Sequence, residues 1–292
     1  MIHFENVTKQ FRRTRVLNGI DLQIGQGERL ALVGSNGAGK TTLIRCLLGE
    51  YTCSGSITVG GLDARNNRTA ILKRVGFVPQ LPPPLRMPVA QLLNFAAGVC
   101  DSDVEQMYAV AGQLGLDAKS FRRQPFVKLS GGQKQKLLIS IALGRECDLL
   151  VMDEPAANLD PEARHIFFKL LAKKQENSAM IISSHRLDEV AALVNRVVEL
   201  DRGNVVLDDR VADQVDMESL LDVRVTLTRA DSAFAATVQE WGFEQNRQGD
   251  VWMGQIAGPD RLRFLGVLSR YAGLLQGVSM EPAAEAAFVT LN

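Results

Sequence analysis

No stretch of this 292-residue chain approaches eighteen consecutive apolar residues, so no segment is long and apolar enough to cross a bilayer as a helix. Any role at a membrane is therefore expected to use another polypeptide. The start, Met1-Ile2-His3-Phe4-Glu5, has no basic region followed by an apolar one, so no export signal is visible. An excess of either charge is also missing. The 33 basic residues match 33 acidic ones, without the basic footprint of a nucleic-acid binder, and no nucleic-acid partner is expected. Cysteine is sparse: Cys46, Cys53, Cys100 and Cys147 show neither C-x-x-C spacing nor accompanying histidines, so reduced, mostly buried thiols suited to the cytosol are expected. Internal repeats and long low-complexity tracts are absent. With 46% hydrophobic residues, the chain has material for one large and one small domain.

The run Gly34-Ser35-Asn36-Gly37-Ala38-Gly39-Lys40-Thr41-Thr42 fits G-x-x-x-x-G-K-[ST], a loop whose backbone N–H groups, lysine and hydroxyl hold a nucleotide polyphosphate and its Mg²⁺. The alternative is a glycine-rich turn with a chance lysine. Context favours the loop, because apolar Glu28–Val33 reads as a buried strand before it and Thr41–Leu48 as an apolar-faced helix after it. Gly34, Gly37 and Gly39 allow positive φ and close approach, Lys40 brings a full charge, and Thr41 is a candidate Mg²⁺ ligand.

Strand patterns at Ile2–Val7, Ile20–Ile24, Arg29–Val33, Ser56–Val59 and Arg74–Gln80 precede a proline-rich stretch, Leu81–Pro88. A long helical region follows from about Val89 to Leu143. Strand and helix then alternate through Leu149–Met152, Ala163–Gln175, Met180–Ser183 and Val197–Leu200, which predicts a largely parallel, buried sheet. After Leu220 the pattern reads strand 223–228, helix 232–241, strands 243–246 and 251–256, helix 260–271 and strand 275–280. That order is the split βαββαβ, ferredoxin-like plan. Trp241, Trp252 and Tyr271 read as its core rather than as a ligand cage, and Glu281–Asn292 as a short closing helix.

The aliphatic run Leu149–Met152 ends in Asp153-Glu154, which places two carboxylates at a strand's C-terminal edge beside the loop. Asp153 would hold Mg²⁺ through water, and Glu154 would orient or deprotonate an attacking water. The alternative is a solvated strand end. Upstream, Leu129-Ser130-Gly131-Gly132-Gln133 opens the predicted helix Gln133–Leu143, so a hydroxyl, backbone N–H groups and a helix dipole face outward. On its own this would be an ordinary helix cap.

Taken together, these motifs resemble those of ATP-binding cassette (ABC) ATPases, whose signature is LSGGQ; the likeness covers about Met1 to Asp213. It implies a phosphate-loop ABC core of α/β fold within residues 1–220, with a helical subdomain at about 85–145; the pattern after Leu220 adds a small C-terminal α+β domain, for accessory contacts or dimerisation, at 221–292. It implies ATP and Mg²⁺, with the Ser130–Gln133 signature meeting the γ-phosphate held by a second copy in a head-to-tail homodimer. Gln80 matches the glutamine that contacts Mg²⁺ and the attacking water, and His185 the switch histidine. Asp160 resembles the aspartate reaching across the dimer, or it caps the helix begun by Pro161. Phe11 takes the place of a tyrosine stacking on adenine. Asn158 and Lys136 depart from the family's frequent glycine and arginine, and neither is expected to touch the chemistry.

Two functions fit this resemblance: the ATPase subunit of a transporter at the cytoplasmic membrane face, or a soluble ABC ATPase acting on the ribosome or DNA. One phosphate loop, one signature and no zinc or coiled-coil insertion favour the first, paired with a separate permease. Pro82–Met87 would form a groove edge for that permease, unless it is an ordinary solvated loop. Pro282–Leu291 is similar to the terminal helix of exporter ATPases, which leans towards export.

Overall fold

The computed structural model describes residues 1–174, 178–185, 187–210, 220–246, 249–257 and 260–283. It begins with a hairpin: β1 (Ile2–Phe11) and β2 (Thr14–Ile24) pair antiparallel from Ile2↔Ile24 to Phe11↔Thr14, turning where Arg12 takes a φ of 51°. Both strands outrun the apolar pattern, because backbone pairing continues through Lys9, Gln10 and Arg15 after burial ends. β3 (Arg29–Val33), α1 (Lys40–Leu47), β4 (Ser54–Val59) and β5 (Leu62–Asp63) follow. A four-stranded antiparallel sheet runs β2-β1-β4-β5.

Next come α2 (Arg68–Lys73), β6 (Val75–Val78), α3 (Val89–Val99), α4 (Val104–Gln113), α5 (Gly131–Leu143), β7 (Leu149–Asp153), α6 (Pro161–Lys174), β8 (Ala179–Ser184), α7 (Leu187–Val190), β9 (Arg196–Asp201) and β10 (Asn204–Arg210). The second sheet runs β10-β9-β3-β8-β7-β6 and is parallel except at edge strand β10. The helical stretch after Val89 is three helices rather than one continuous run, interrupted where Gly115 takes a φ of 73° and Pro125 opens a single turn at Phe126–Lys128.

One apolar cluster joins Phe4, Ile24 and Ile57 of the antiparallel sheet, Leu43, Ile44 and Leu47 of α1, and Leu30, Val151 and Ile181 of the parallel sheet. The helix that follows the phosphate loop is thus anchored to both sheets. A second cluster, including Leu93, Met107, Phe126 and Leu137, is the separate core of α3–α5.

The chain divides into two compact units, Met1–His185 with Leu193–Arg210, and the described residues of Arg186–Ala192 and Val211–Asn292. The second contains β11 (Leu220–Leu227), α8 (Ser232–Gln239), β12 (Glu244–Gln245), β13 (Val251–Ala257), α9 (Arg261–Ser269) and β14 (Leu275–Pro282), with an antiparallel sheet ordered β12-β13-β11-β14. Phe234, Val238, Phe264 and Leu268 of its helices are buried with Val223, Val225, Trp252 and Ile256 of the sheet. Trp252 is in this core, while Trp241 and Tyr271 are half-buried, packed edge-on against Phe264 and Phe234. Helix α7, two residues past His185, packs on α9 in this unit. Of the predicted closing helix, residues 284–292 lie outside the described residues.

In the first unit Arg196, 4% exposed, donates to both carboxylate oxygens of Asp208 at 2.7 Å, to Glu28 at 2.8 Å and to the Gln23 carbonyl on β2. One cation thereby ties the edge of one sheet to the other. Arg196→Met takes the bidentate partner from Asp208, while Glu28 keeps Arg210 at 3.1 Å and the Gly25 N–H at 2.8 Å, and we expect a loss of about 2–3 kcal/mol, below the ~3–5 kcal/mol of a fully buried pair. The discount reflects the 38% exposure of the Asp208 side chain. A lower urea midpoint at unchanged slope would register it.

Candidate functional site

Between β3 and α1 the backbone takes left-handed φ at Gly34 (142°), Gly37 (85°) and Gly39 (114°). A Cβ on Gly34 would stand 2.2 Å from the Leu200 carbonyl oxygen, so only glycine fits there. Helix α1 starts at Lys40 with Gly39 as its cap and no side-chain hydrogen bond to its first turn. Such an end leaves backbone donors and the positive dipole end facing whatever binds the loop. Ser35, Asn36 and Gly37 are exposed, Thr41 and Thr42 half-buried, and Ala38 buried, its carbonyl accepting from the Gly203 N–H at 2.9 Å.

Lys40 is buried, donating from Nζ to the Gly34 and Ser35 carbonyls at 2.6 and 3.2 Å, and its Nζ stands 3.9 Å from Glu154 Oε1. Burial pushes its ammonium below the usual lysine range, against the attraction of Glu154 and Asp153.

Strand β8 lies between β3 and β7, and the register levels their ends, Val33↔Ser184 and Asp153↔Ser183. Ser183, fully buried, donates from Oγ to Asp153 Oδ1 at 2.6 Å and accepts the Glu154 N–H at 3.0 Å. Glu154 takes a φ of 48°, an uncommon conformation for a residue with a side chain. Its Oε2 is 2.8 Å from His185 Nδ1, beyond the end of β8. Asp153 is 2% and Glu154 8% exposed, which excludes a solvated strand end. Lys40, Asp153, Glu154, Ser183 and His185 thus form one connected cluster. Ser183 carried a faint signal in the sequence, a hydroxyl closing an otherwise aliphatic strand.

Around this cluster, Ser130 caps α5, which begins at Gly131, two residues before its predicted start. The Ser130 hydroxyl accepts the Gln133 N–H at 3.2 Å and Gln133 Oε1 accepts the Ser130 N–H at 2.9 Å, a reciprocal box. Ser130 and Gly131 are exposed, Gly132 and Gln133 half-buried. Two residues on, buried Gln135 donates to the Pro155 carbonyl at 2.9 Å, fixing α5 to the residue after Glu154.

Asp160 accepts the Ala163 N–H at 2.9 Å, capping α6, and pairs with Lys136 Nζ at 2.8 Å. Lys136 thus touches a candidate site residue, and its hydrogen bond holds the Asp160 carboxyl below the usual range. Asn158 is also in contact: a Cβ on Gly132 would stand 3.2 Å from its carbonyl oxygen. Gln80 is exposed just past β6, whose Val78 pairs with Met152. Phe11, 38% exposed at the end of β1, packs edge-to-face with Tyr51 at 5.2 Å. Gln80, Phe11 and Ser130–Gln133 stand outside the hydrogen-bonded cluster.

The model of the ABC transporter family matches residues 17–157. The chain is 32% identical over 231 residues to Nod factor export ATP-binding protein I of Cupriavidus pinatubonensis (strain JMP 134 / LMG 1197), covering 76% of this chain and 70% of that protein. This chain belongs to the ABC transporter ATP-binding family. It is also 35% identical over 224 residues to glutamine transport ATP-binding protein GlnQ of Escherichia coli (strain K12), covering 71% of this chain and 90% of GlnQ. The dimeric structure of MJ0796, a bacterial ABC transporter cassette, shares the fold at a TM-score of 0.66 and 21% identity, covering 73% of this chain and all of that one. The cassette is an ATP-binding subunit of an ABC transporter, and its family is one of ATP-hydrolysing proteins. Among the described residues no helix is long and apolar enough to cross a membrane.

No three His, Cys, Asp or Glu side chains among the described residues converge to hold a metal by themselves. The donor set present, a threonine hydroxyl at the loop and a buried aspartate opposite, fits Mg²⁺ that arrives with phosphate oxygens as its other ligands.

Replacing Ser183 by Ala removes the hydroxyl that orients Asp153, leaving that carboxylate short of a donor, while the Glu154 N–H keeps only the Ser183 carbonyl at 3.3 Å. Turnover of ATP by the cassette should drop about tenfold, the equivalent of ~1.4 kcal/mol. Steady-state kinetics beside an intact thermal transition would check it.

Proposed function

We propose that the cassette hydrolyses MgATP as a head-to-tail homodimer and energises a separately encoded membrane permease, in the direction of export. The observation that carries the hydrolytic reading is the convergence of buried Lys40 and Glu154 with the exposed His185 beside an uncapped helix start. In this reading Gly34–Thr42 cradle the phosphates, Lys40 balances their charge, and Thr41, Asp153 and Gln80 face Mg²⁺. Glu154, oriented by its φ and by His185, accepts the proton of the attacking water. His185 donates towards the γ-phosphate, and Phe11 stacks on adenine.

Exposure of the Ser130–Gln133 box supports the dimer: its outward helix end suits the nucleotide of another copy, with Asp160 nearby. The dimeric MJ0796 cassette is a precedent of the same fold. Leu81, 74% exposed between Gln80 and Pro82, adds apolar surface to the Pro82–Pro84 stretch, and Phe95 is 59% exposed on α3, which supports docking of a permease at the inner membrane's cytoplasmic face. Likeness to a protein named for Nod factor export supports the direction.

Glu154→Gln keeps shape and burial but removes the base. We expect ATP binding to persist, turnover to fall by about 100-fold or more, and ATP to hold the variant as a dimer in sedimentation. Undiminished turnover would reject the assignment. In proteoliposomes with the permease, cargo should move away from the cassette side; accumulation on that side would overturn export.

A further inference from the structure

Phe11 is a half-exposed ring at the end of a strand, a place where a side chain ordinarily keeps rotamer freedom. Here it does not stand alone. The Tyr51 ring meets it edge-on, 5.2 Å between centroids at 80°, and Lys9 Nζ lies over the Phe11 ring at 4.8 Å and the Tyr51 ring at 5.5 Å. Lys9 also donates to the Thr52 carbonyl at 2.6 Å, which pins the Tyr51 segment to β1. From the other side Arg45 donates from Nη1 to the Tyr51 hydroxyl at 2.8 Å, its guanidinium 5.5 Å from the ring centroid. Arg45 is in the last turn of α1, the helix whose first residue is Lys40.

A continuous set of contacts therefore runs from the phosphate-loop helix through Arg45 and Tyr51 to Phe11. We propose that Tyr51 is a positioning residue for nucleotide binding: it fixes the Phe11 ring relative to α1, so that base and phosphates of one nucleotide find both their partners already in place. This deepens, and rests on, the reading of Phe11 as the surface on which adenine stacks. The reason is preorganisation. A ligand that must engage a ring and a helix start together binds best when the distance and angle between them are set beforehand. Lys9, over the Phe11 ring and bonded to the Thr52 carbonyl, helps to hold the platform.

The test compares Mg·ATP with Mg·tripolyphosphate, which has phosphates but no base, as ligands of the full chain. Tyr51→Leu keeps apolar volume but loses the aromatic edge and the Arg45 bond; Tyr51→Phe keeps the edge. We expect Tyr51→Leu to weaken ATP binding about 3- to 10-fold, to leave tripolyphosphate within about twofold, and to raise KM without lowering kcat. Tyr51→Phe should restore most of the ATP affinity. Equal weakening of both ligands, or unchanged ATP affinity in Tyr51→Leu, overturns the inference. Phe11→Ala separates the two layers. If it selectively weakens ATP while Tyr51→Leu does not, the positioning role alone fails; if it leaves ATP affinity intact, the stacking reading fails and takes this inference with it.

Discussion

A buried ammonium facing a buried carboxylate across one strand is the constraint on which the first unit turns. At the 3.9 Å between Lys40 and Glu154, their attraction is roughly 4 kcal/mol at an effective dielectric of 20. Taking each ion out of water costs several kcal/mol, so the pair gains little by itself and the surroundings must hold it. They do so through backbone. Gly34 brings the loop against the Leu200 carbonyl, where no side chain fits, and the Ser183 hydroxyl receives the Glu154 N–H while the chain bends at positive φ. The lowered affinity of Lys40 for its proton is the signature of that confinement, and an arriving polyphosphate would add the negative charge that favours the ammonium.

Strand order explains why these groups meet. In an open parallel sheet the carboxyl ends of strands are where loops converge, and β8, inserted between β3 and β7, brings Ser183 and His185 to both. Anchoring α1 to two sheets then keeps the loop from shifting against the strand ends. The helical core of α3–α5 joins the same centre by two polar contacts, Gln135 to the Pro155 carbonyl and Lys136 to Asp160. Reorientation of α5 is thereby coupled to the residues on either side of the Glu154 loop, a physical route by which events at the helical subdomain reach the chemistry.

Much of this was legible in the sequence wherever a short motif dictates its own geometry. The glycine pattern of the loop demands left-handed backbone, and an aliphatic run ending in Asp153-Glu154 demands a buried strand that stops at carboxylates; both are seen. The remainder depends on register and tertiary pairing, which local patterns do not encode. The hairpin reaches Phe11 and Thr14 because main-chain pairing continues where the side chains are polar. Gln135, Lys136 and Tyr51 are unremarkable letters whose partners lie 20, 24 and 40 residues away. Helix α7, four residues long with Leu187 and Val190 buried, groups with the C-terminal unit and is too short for a periodic signal.

The signature helix start makes the strongest physical case for a second molecule. Ser130 and Gln133 satisfy each other, and the Ser130 carbonyl takes the Lys134 N–H, which leaves the Gly131 and Gly132 donors at the positive end of a thirteen-residue helix. No acidic side chain occupies its first turn. Gly132 permits α5 to approach the Asn158 carbonyl, and because that contact is made by backbone, asparagine serves there as well as glycine would. A helix end so prepared, yet unconnected to the hydrogen-bonded cluster of its own chain, is suited to phosphate held elsewhere. In the proposed head-to-tail dimer two copies would supply that phosphate to each other, and ATP itself would then be part of the interface, so that its hydrolysis would weaken the contact it had made.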